Sequence, residues 1–144
     1  MIREAGTCVD FDGVGVILRG PSGCGKSDLA LRLIRQGARL VADDITVIGT
    51  DRDGLTASAP PAIAGMIEVR GIGIVRLPYA ASTKLAAVID LVAGTAVERM
   101  PEPATCELLG VQVPRYALCA FDASSADKVR LVADLASGKL GLVS

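Results

Sequence analysis

The chain of 144 residues has no histidine and no tryptophan, and its aromatic side chains are limited to two phenylalanines and two tyrosines. Without imidazole there is no His general base, no His-containing metal site and no Ser-His-Asp triad. Any catalysis must draw on carboxylates, lysine, arginine, hydroxyls, thiols or the backbone. Neither sign of charge is in excess: 15 Lys and Arg stand against 16 Asp and Glu, for a net charge of -1. With no basic run, the electrostatic footprint of a nucleic-acid or anionic-membrane binder is missing, so neither partner is expected. No apolar run approaches the ~18–20 residues of a membrane span, and Arg3, Glu4, Asp10 and Asp12 break up the opening segment. The four cysteines, Cys8, Cys24, Cys106 and Cys119, form no C-x-x-C pair, which favours a reducing cytosol over a disulfide framework. The expectation is a soluble, cytoplasmic protein. Repeats and linkers are also missing, and a 51% hydrophobic chain of this length buries one core, so residues 1–144 read as a single domain.

What is present alternates between strand and helix signals. Apolar runs at residues 7–11 and 14–18 flank Asp12-Gly13 and predict a hairpin. Residues 26–36 mix Leu29, Leu31, Leu33 and Ile34 with Asp28, Arg32 and Arg35 before Gly37, as in a helix with one charged side and a glycine stop. Strand-type segments are expected at 39–42, 46–48, 66–69, 73–77 and 85–91. A last helix begins at a Ser124 or Ser125 cap and runs to about Ala136, with Val129, Leu131, Val132 and Leu135 as its apolar face.

Between the predicted strand at 14–18 and the predicted helix at 26–36 lies Gly20-Pro21-Ser22-Gly23-Cys24-Gly25-Lys26-Ser27, a complete G-x-x-x-x-G-K-[ST] string. The glycines let the backbone turn tightly and aim N–H groups inward, where the positive helix end also favours phosphate oxygens. Lys26 would reach the terminal phosphates, and Ser27 would hold Mg²⁺. At Cys24 any small residue would fit; a reactive regulatory thiol at a helix N-terminus is the other reading. Asp43-Asp44 follows the strand at 39–42, and adjacent carboxylates on extended backbone point apart, so one can face Mg²⁺ or its waters and the other an acceptor. In Ile67-Glu68-Val69-Arg70-Gly71-Ile72-Gly73, alternation puts Glu68 and Arg70 on one face, a carboxylate for metal and a guanidinium for phosphate, or else a solvated sheet face.

Taken together, the strings GPSGCGKSD, RLVADD and EVRGIGI resemble the HPr serine kinase/phosphorylase family in a short form that keeps only the catalytic domain. The resemblance implies an α/β, P-loop kinase-like domain similar to phosphoenolpyruvate carboxykinase, with a central mixed sheet and flanking helices. It implies that residues 20–27 bind ATP phosphates, that Lys26 stabilises the transferring phosphoryl group, and that Ser27 and Glu68 hold Mg²⁺. Asp44 would take the proton of a serine hydroxyl on an HPr-type phosphocarrier and return it in a reverse reaction that consumes inorganic phosphate. Asp43 would position metal or water, and Arg70 lies in a segment used in both directions. A homo-oligomer, a hexamer in the family, is implied as well.

The family places a His-Gly pair ahead of the loop, where this chain has Ala5-Gly6. Alanine has no donor, acceptor or charge, so the imidazole's part must be absent or taken by another group, with Arg3 and Glu4 the nearest candidates. The expectation is that ATP binding and kinase activity persist, and that the reverse direction is the one put in question. Two other readings stand beside this one. A small-molecule kinase of the guanylate kinase type would need an arginine-rich lid, and only Arg99, Arg115 and Arg130 follow Arg76. A nucleotide-binding regulatory protein without catalysis is the reading that Ala5 motivates.

Overall fold

A computed structural model describes residues 1–143. Its strands are β1 (Ile2–Ala5), β2 (Thr7–Phe11), β3 (Val14–Arg19), β4 (Arg39–Ala42), β5 (Ile45–Asp51), β6 (Gly54–Ser58), β7 (Met66–Val69), β8 (Gly73–Arg76), β9 (Thr83–Leu91), β10 (Ala104–Leu108) and β11 (Val111–Leu118). The helices are α1 (Lys26–Arg35) and α2 (Ser125–Ala136), joined by short 3₁₀ turns at Pro61–Ile63 and Gly94–Ala96. Nine strands form one mixed sheet in the order β1-β5-β6-β9-β3-β2-β4. β9 is its fork: β6 pairs antiparallel with Thr83 and Lys84, while β11 pairs parallel with Val88 through Leu91 and carries β10 on its far side. β7 and β8 make a separate hairpin.

Strand alternation divides the core in two. Val9, Val16, Leu18, Leu40 and Ile89 point to one face, where they meet Leu29, Ala30 and Leu33 of α1 and Ala126, Val129, Val132 and Ala133 of α2. Their neighbours Cys8, Ile17, Val41 and Val88 point to the other, where they meet Ile48, Leu55, Ala57, Leu85, Leu108 and Val113. No helical residue belongs to this second cluster, so the sheet wraps around it while both α-helices cover the first face. The α/β fold with a mixed sheet is as expected from the sequence, with the helices on one side.

Several local expectations change. β1, β6, β10 and β11 are strands that the sequence pattern did not mark out. The first helix ends at Arg35, one residue early, and Gly37 follows with a φ of 110°. Ser124 occupies the N-cap of α2 without a side-chain capping bond. Ser125 instead donates its hydroxyl hydrogen backward to the carbonyl of Cys119 and is buried. Leu131 lies outside the apolar face, exposed, because two residues along a helix is a rotation of about 200° from Val129.

Direction along the sheet positions the site. β3, β9 and β11 are parallel, and β4 runs the same way because both β3 and β4 are antiparallel to the intervening β2. Four strands therefore end at one edge, which is where open α/β sheets gather ligand-binding loops.

Candidate active site

The loop after β3 contains the glycine-rich string, and α1 starts directly from it. Gly25 is the N-cap of α1, with a φ of 93° and no side-chain cap, so the first-turn N–H groups stay available at the positive helix end. A Cβ at Gly25 would come within 2.9 Å of the Ala120 Cβ, so this glycine serves both backbone conformation and close packing. Lys26 folds back over the loop, its Nζ donating to the Gly20 carbonyl at 2.6 Å and the Pro21 carbonyl at 3.3 Å. Cys24 lies beneath, its Sγ 4.0 Å from that ammonium. Among the described residues this ammonium rests on neutral carbonyls and a thiol, with no carboxylate paired to it, which leaves a charge suited to phosphate.

The end of β4 supplies the two carboxylates, and the structure separates their surroundings. Asp43 is only 7% exposed. Its Oδ1 accepts the hydroxyl hydrogens of Ser27 at 2.6 Å and Thr7 at 3.1 Å, and its Oδ2 accepts the Glu68 N–H at 3.0 Å. Asp44 is exposed and has a left-handed φ of 67°. Its carbonyl accepts the Gly6 N–H at 2.7 Å and its own N–H donates to the Thr7 hydroxyl at 3.1 Å. One carboxylate thus ties β2, β4, α1 and β7 together while its neighbour projects outward.

These groups line a cleft of about 440 Å³ that takes in Ser22, Gly23, Gly25, Lys26, Ser27, Asp43, Asp44, Glu68 and Arg70. Gly20, Pro21 and Cys24, the rest of the string, are not among its lining residues. Glu68 and Arg70, both exposed, come from the β7–β8 hairpin, whose other face buries Ile67. A hollow of about 550 Å³ on the opposite strand edge, lined by Met1, Ile2, Arg3, Val47, Ser58, Ala59 and Pro61, has Arg3 as its one charged side chain and shares no residue with the loop.

Ala5 pairs with Ile45 at the end of β1, one residue from Asp44 on the neighbouring strand. Neither group suggested in its stead faces the cleft. The Glu4 carboxylate accepts from Arg19 Nη1 at 3.1 Å, and Arg3 lines the remote hollow. Sequence reasoning also missed Phe121, 72% exposed, which lines the cleft from the loop after β11. Its signal is topological: recognising β11 as a fourth parallel strand would have brought its C-terminal loop to the same edge.

An ion-pair group stands directly behind the loop. Asp90, at the end of β9, accepts from Arg19 Nε at 2.8 Å, Arg19 Nη2 at 3.0 Å and Arg115 Nε at 2.7 Å. Partial burial pushes its carboxyl pKa up, but the two guanidiniums outweigh that and hold it below the usual carboxylate value. The same hydrogen bonds raise the Arg19 pKa further. The residue that leads into Gly20 is therefore clamped to Asp90 of β9 and Glu4 of β1, with Arg115 of β11 on the same Asp90 carboxylate.

Among the described residues no group of three or more Cys, Asp or Glu side chains forms a cation cage. A magnesium site of the kind that shares a nucleotide's phosphates needs only one or two carboxylates. The Ser27 hydroxyl and Asp43 carboxylate, two hard oxygens already 2.6 Å apart in the cleft, fit that donor set.

Comparison with known proteins gives the chain a family. Residues 2–129 match the HPr Serine kinase C-terminal domain. The HPr kinase/phosphorylase of Clostridium tetani is 47% identical over 76 residues, which is 53% of this chain and 25% of that protein. The HPr kinase/phosphorylase of Bacillus pumilus is 49% identical over 73 residues, 50% of this chain and 24% of its own length. The matched stretch is thus about a quarter of these curated relatives. In fold, the chain is similar to the Hpr(Ser) kinase/phosphatase from Coxiella burnetii, with a TM-score of 0.80 at 24% identity over 96% of this chain and 90% of that one. The family match spans residues 2–129, most of the described chain, and the fold agrees with it: the chain belongs to the HPr serine kinase C-terminal domain family.

Proposed function

We propose that residues 1–144 form a single catalytic domain that transfers the terminal phosphoryl group of ATP to a serine hydroxyl of an HPr-type phosphocarrier protein. The observation that carries this reading is the meeting of Lys26, Ser27, Asp43 and Asp44 in one cleft at the N-terminus of α1. Asp44, exposed and held at a fixed backbone angle, accepts the serine proton. The freed oxygen attacks the terminal phosphorus, the bond to the bridging oxygen breaks, and ADP leaves. Lys26 exchanges its carbonyl partners for phosphate oxygens and, with the loop N–H groups, stabilises charge that builds on them. Ser27 and Asp43, with Glu68 at the rim, would hold Mg²⁺, which supplies charge neutralisation across the phosphates. Arg70 at the cleft mouth offers a guanidinium to the same anions.

In reverse, an oxygen of inorganic phosphate attacks the phosphoserine phosphorus, the bond from phosphorus to the serine oxygen breaks, Asp44 returns the proton to that oxygen, and pyrophosphate leaves. A cytoplasmic location and assembly into a homo-oligomer, a hexamer by family resemblance, belong to the same reading. No helix among the described residues is long and apolar enough to cross a membrane.

Ala5 favours a second reading, a nucleotide-binding regulatory domain without transfer, because a methyl group stands at the strand end beside Asp44. One experiment separates the two. The protein is incubated with labelled ATP, Mg²⁺ and an HPr-type carrier, alongside Asp44→Asn. Transfer to serine, lowered about 10²–10⁴-fold in the variant while ATP still binds, supports the kinase. ATP binding without transfer by the unaltered protein supports the regulatory reading.

A further inference from the structure

Thr7 opens β2 and is fully buried, with no surface in the cleft. Its hydroxyl nevertheless touches both members of the aspartate pair, donating to Asp43 Oδ1 at 3.1 Å and accepting the Asp44 N–H at 3.1 Å. A hydroxyl has one hydrogen and two acceptor lone pairs, so both bonds coexist. Asp44 needs such a partner, because its φ of 67° is a left-handed conformation that a residue with a Cβ leaves unless its surroundings hold it there. Other bonds hold the same junction: Gly6 N–H to the Asp44 carbonyl at 2.7 Å, the Thr46 hydroxyl to the Gly6 carbonyl at 2.9 Å, and the Ile45 N–H to the Asp43 carbonyl at 2.7 Å, which closes a three-residue turn about Asp44. None of them engages the Asp44 N–H, which donates to Thr7, so the hydroxyl adds to the turn the one bond that ties Asp44's own amide to β2.

We infer that Thr7 is a positioning residue for phosphoryl transfer, its single hydroxyl turning Asp43 inward toward Ser27 and holding Asp44 so that its carboxylate projects into the cleft. This rests on the reading of Asp44 as the proton acceptor. Valine has nearly the shape of threonine but would leave the Asp44 N–H without its acceptor and Asp43 with one donor fewer.

The test compares Thr7→Val with Thr7→Ser, which restores the hydroxyl, in two measurements. In amide hydrogen exchange, Thr7→Val should accelerate Asp44 about tenfold or more while the Val132 amide in α2 keeps its rate, and Thr7→Ser should return Asp44 toward the original rate. In the carrier assay, Thr7→Val should lower kcat about ten- to a hundredfold with the ATP dissociation constant unchanged, and Thr7→Ser should recover most of it. Unchanged exchange at Asp44, an equal acceleration at Val132, or a Thr7→Ser variant as slow as Thr7→Val would overturn the inference. If the unaltered protein transfers no phosphate at all, the kinase reading fails; selective acceleration at Asp44 would still support the hydroxyl clamp, and its absence would reject it.

Discussion

At the scale of single residues, the loop's glycines differ in what they permit. Gly23 has a φ of 83°, but a Cβ there would meet nothing within 4 Å. Gly25 combines a φ of 93° with a Cβ position 2.9 Å from Ala120 and 3.2 Å from the Phe121 ring. Alanine at either position carries a left-handed backbone penalty of about 1–2 kcal/mol, and only at Gly25 must the loop after β11 also give way. We therefore expect Gly25→Ala to weaken ATP binding by at least about tenfold more than Gly23→Ala, read by titration calorimetry. Equal affinities for the two variants would show that the clash is relieved without moving the phosphate loop. The aspartate pair shows what sequence conveys at this scale. Strand alternation predicts adjacent carboxylates that point apart, but β4 ends at Ala42 and Asp44 has a φ of 67°, so the two diverge at a turn and not on extended backbone. Which one is buried is not legible in the pattern, because that depends on Thr7 and Ser27, whose positions lie 36 and 16 residues from Asp43.

At the scale of elements, legibility follows the strength of local signals. The β2–β3 hairpin, α1, β4 and β7 stand out because a turn, a glycine stop or clear alternation bounds each of them. β11 is obscured by Pro114, which usually demotes a strand. The structure accommodates it because β11 pairs with β10 over residues 111–115 and with β9 only from Arg115 onward, so Pro114 has a strand on one side alone. β6 reads weakly because its buried positions are only Leu55 and Ala57. Phe121 went unnoticed for the same reason as β11, since only the strand delivers it to the cleft.

The element that braces this region is α2, which packs through Val129, Val132 and Ala133 and is anchored backward by Ser125 on the Cys119 carbonyl. Val129 is fully buried, so Val129→Ala removes two methyl-sized groups from a closed core. A loss of about 2–3 kcal/mol is expected in urea unfolding, with the slope against urea unchanged. Leu131→Ala on the same helix removes an exposed side chain and should cost under about 0.5 kcal/mol. Equal costs at the two sites would place α2 the other way round on the sheet.

At the scale of the whole molecule, two groups on the wrapped face of the sheet set how stability responds to pH. Burial first, and the nearby Asp10 charge second, push the Cys8 thiol pKa well above its ordinary 9.0. Above about pH 9 the unfolded chain loses this proton while the folded one keeps it. The folded state then binds more protons, and stability falls as pH rises. Asp90 acts with the opposite sign. Its folded pKa lies below the ordinary 3.8, so its contribution is present above that value. As pH drops below it, the unfolded chain takes up the proton first and the contribution is lost. Between these limits neither group titrates in either state, and a plateau is expected. Urea midpoints measured from pH 3 to 11 should show Cys8→Ala lowering stability across the plateau through its cavity while flattening the alkaline fall. Asp90→Asn should lower the plateau by loosening Arg19 and Arg115 while flattening the acid fall. Alkaline slopes that coincide for Cys8→Ala and the unaltered protein would mean that the thiol is not sealed in the core, and with it that the sheet does not close around the second cluster.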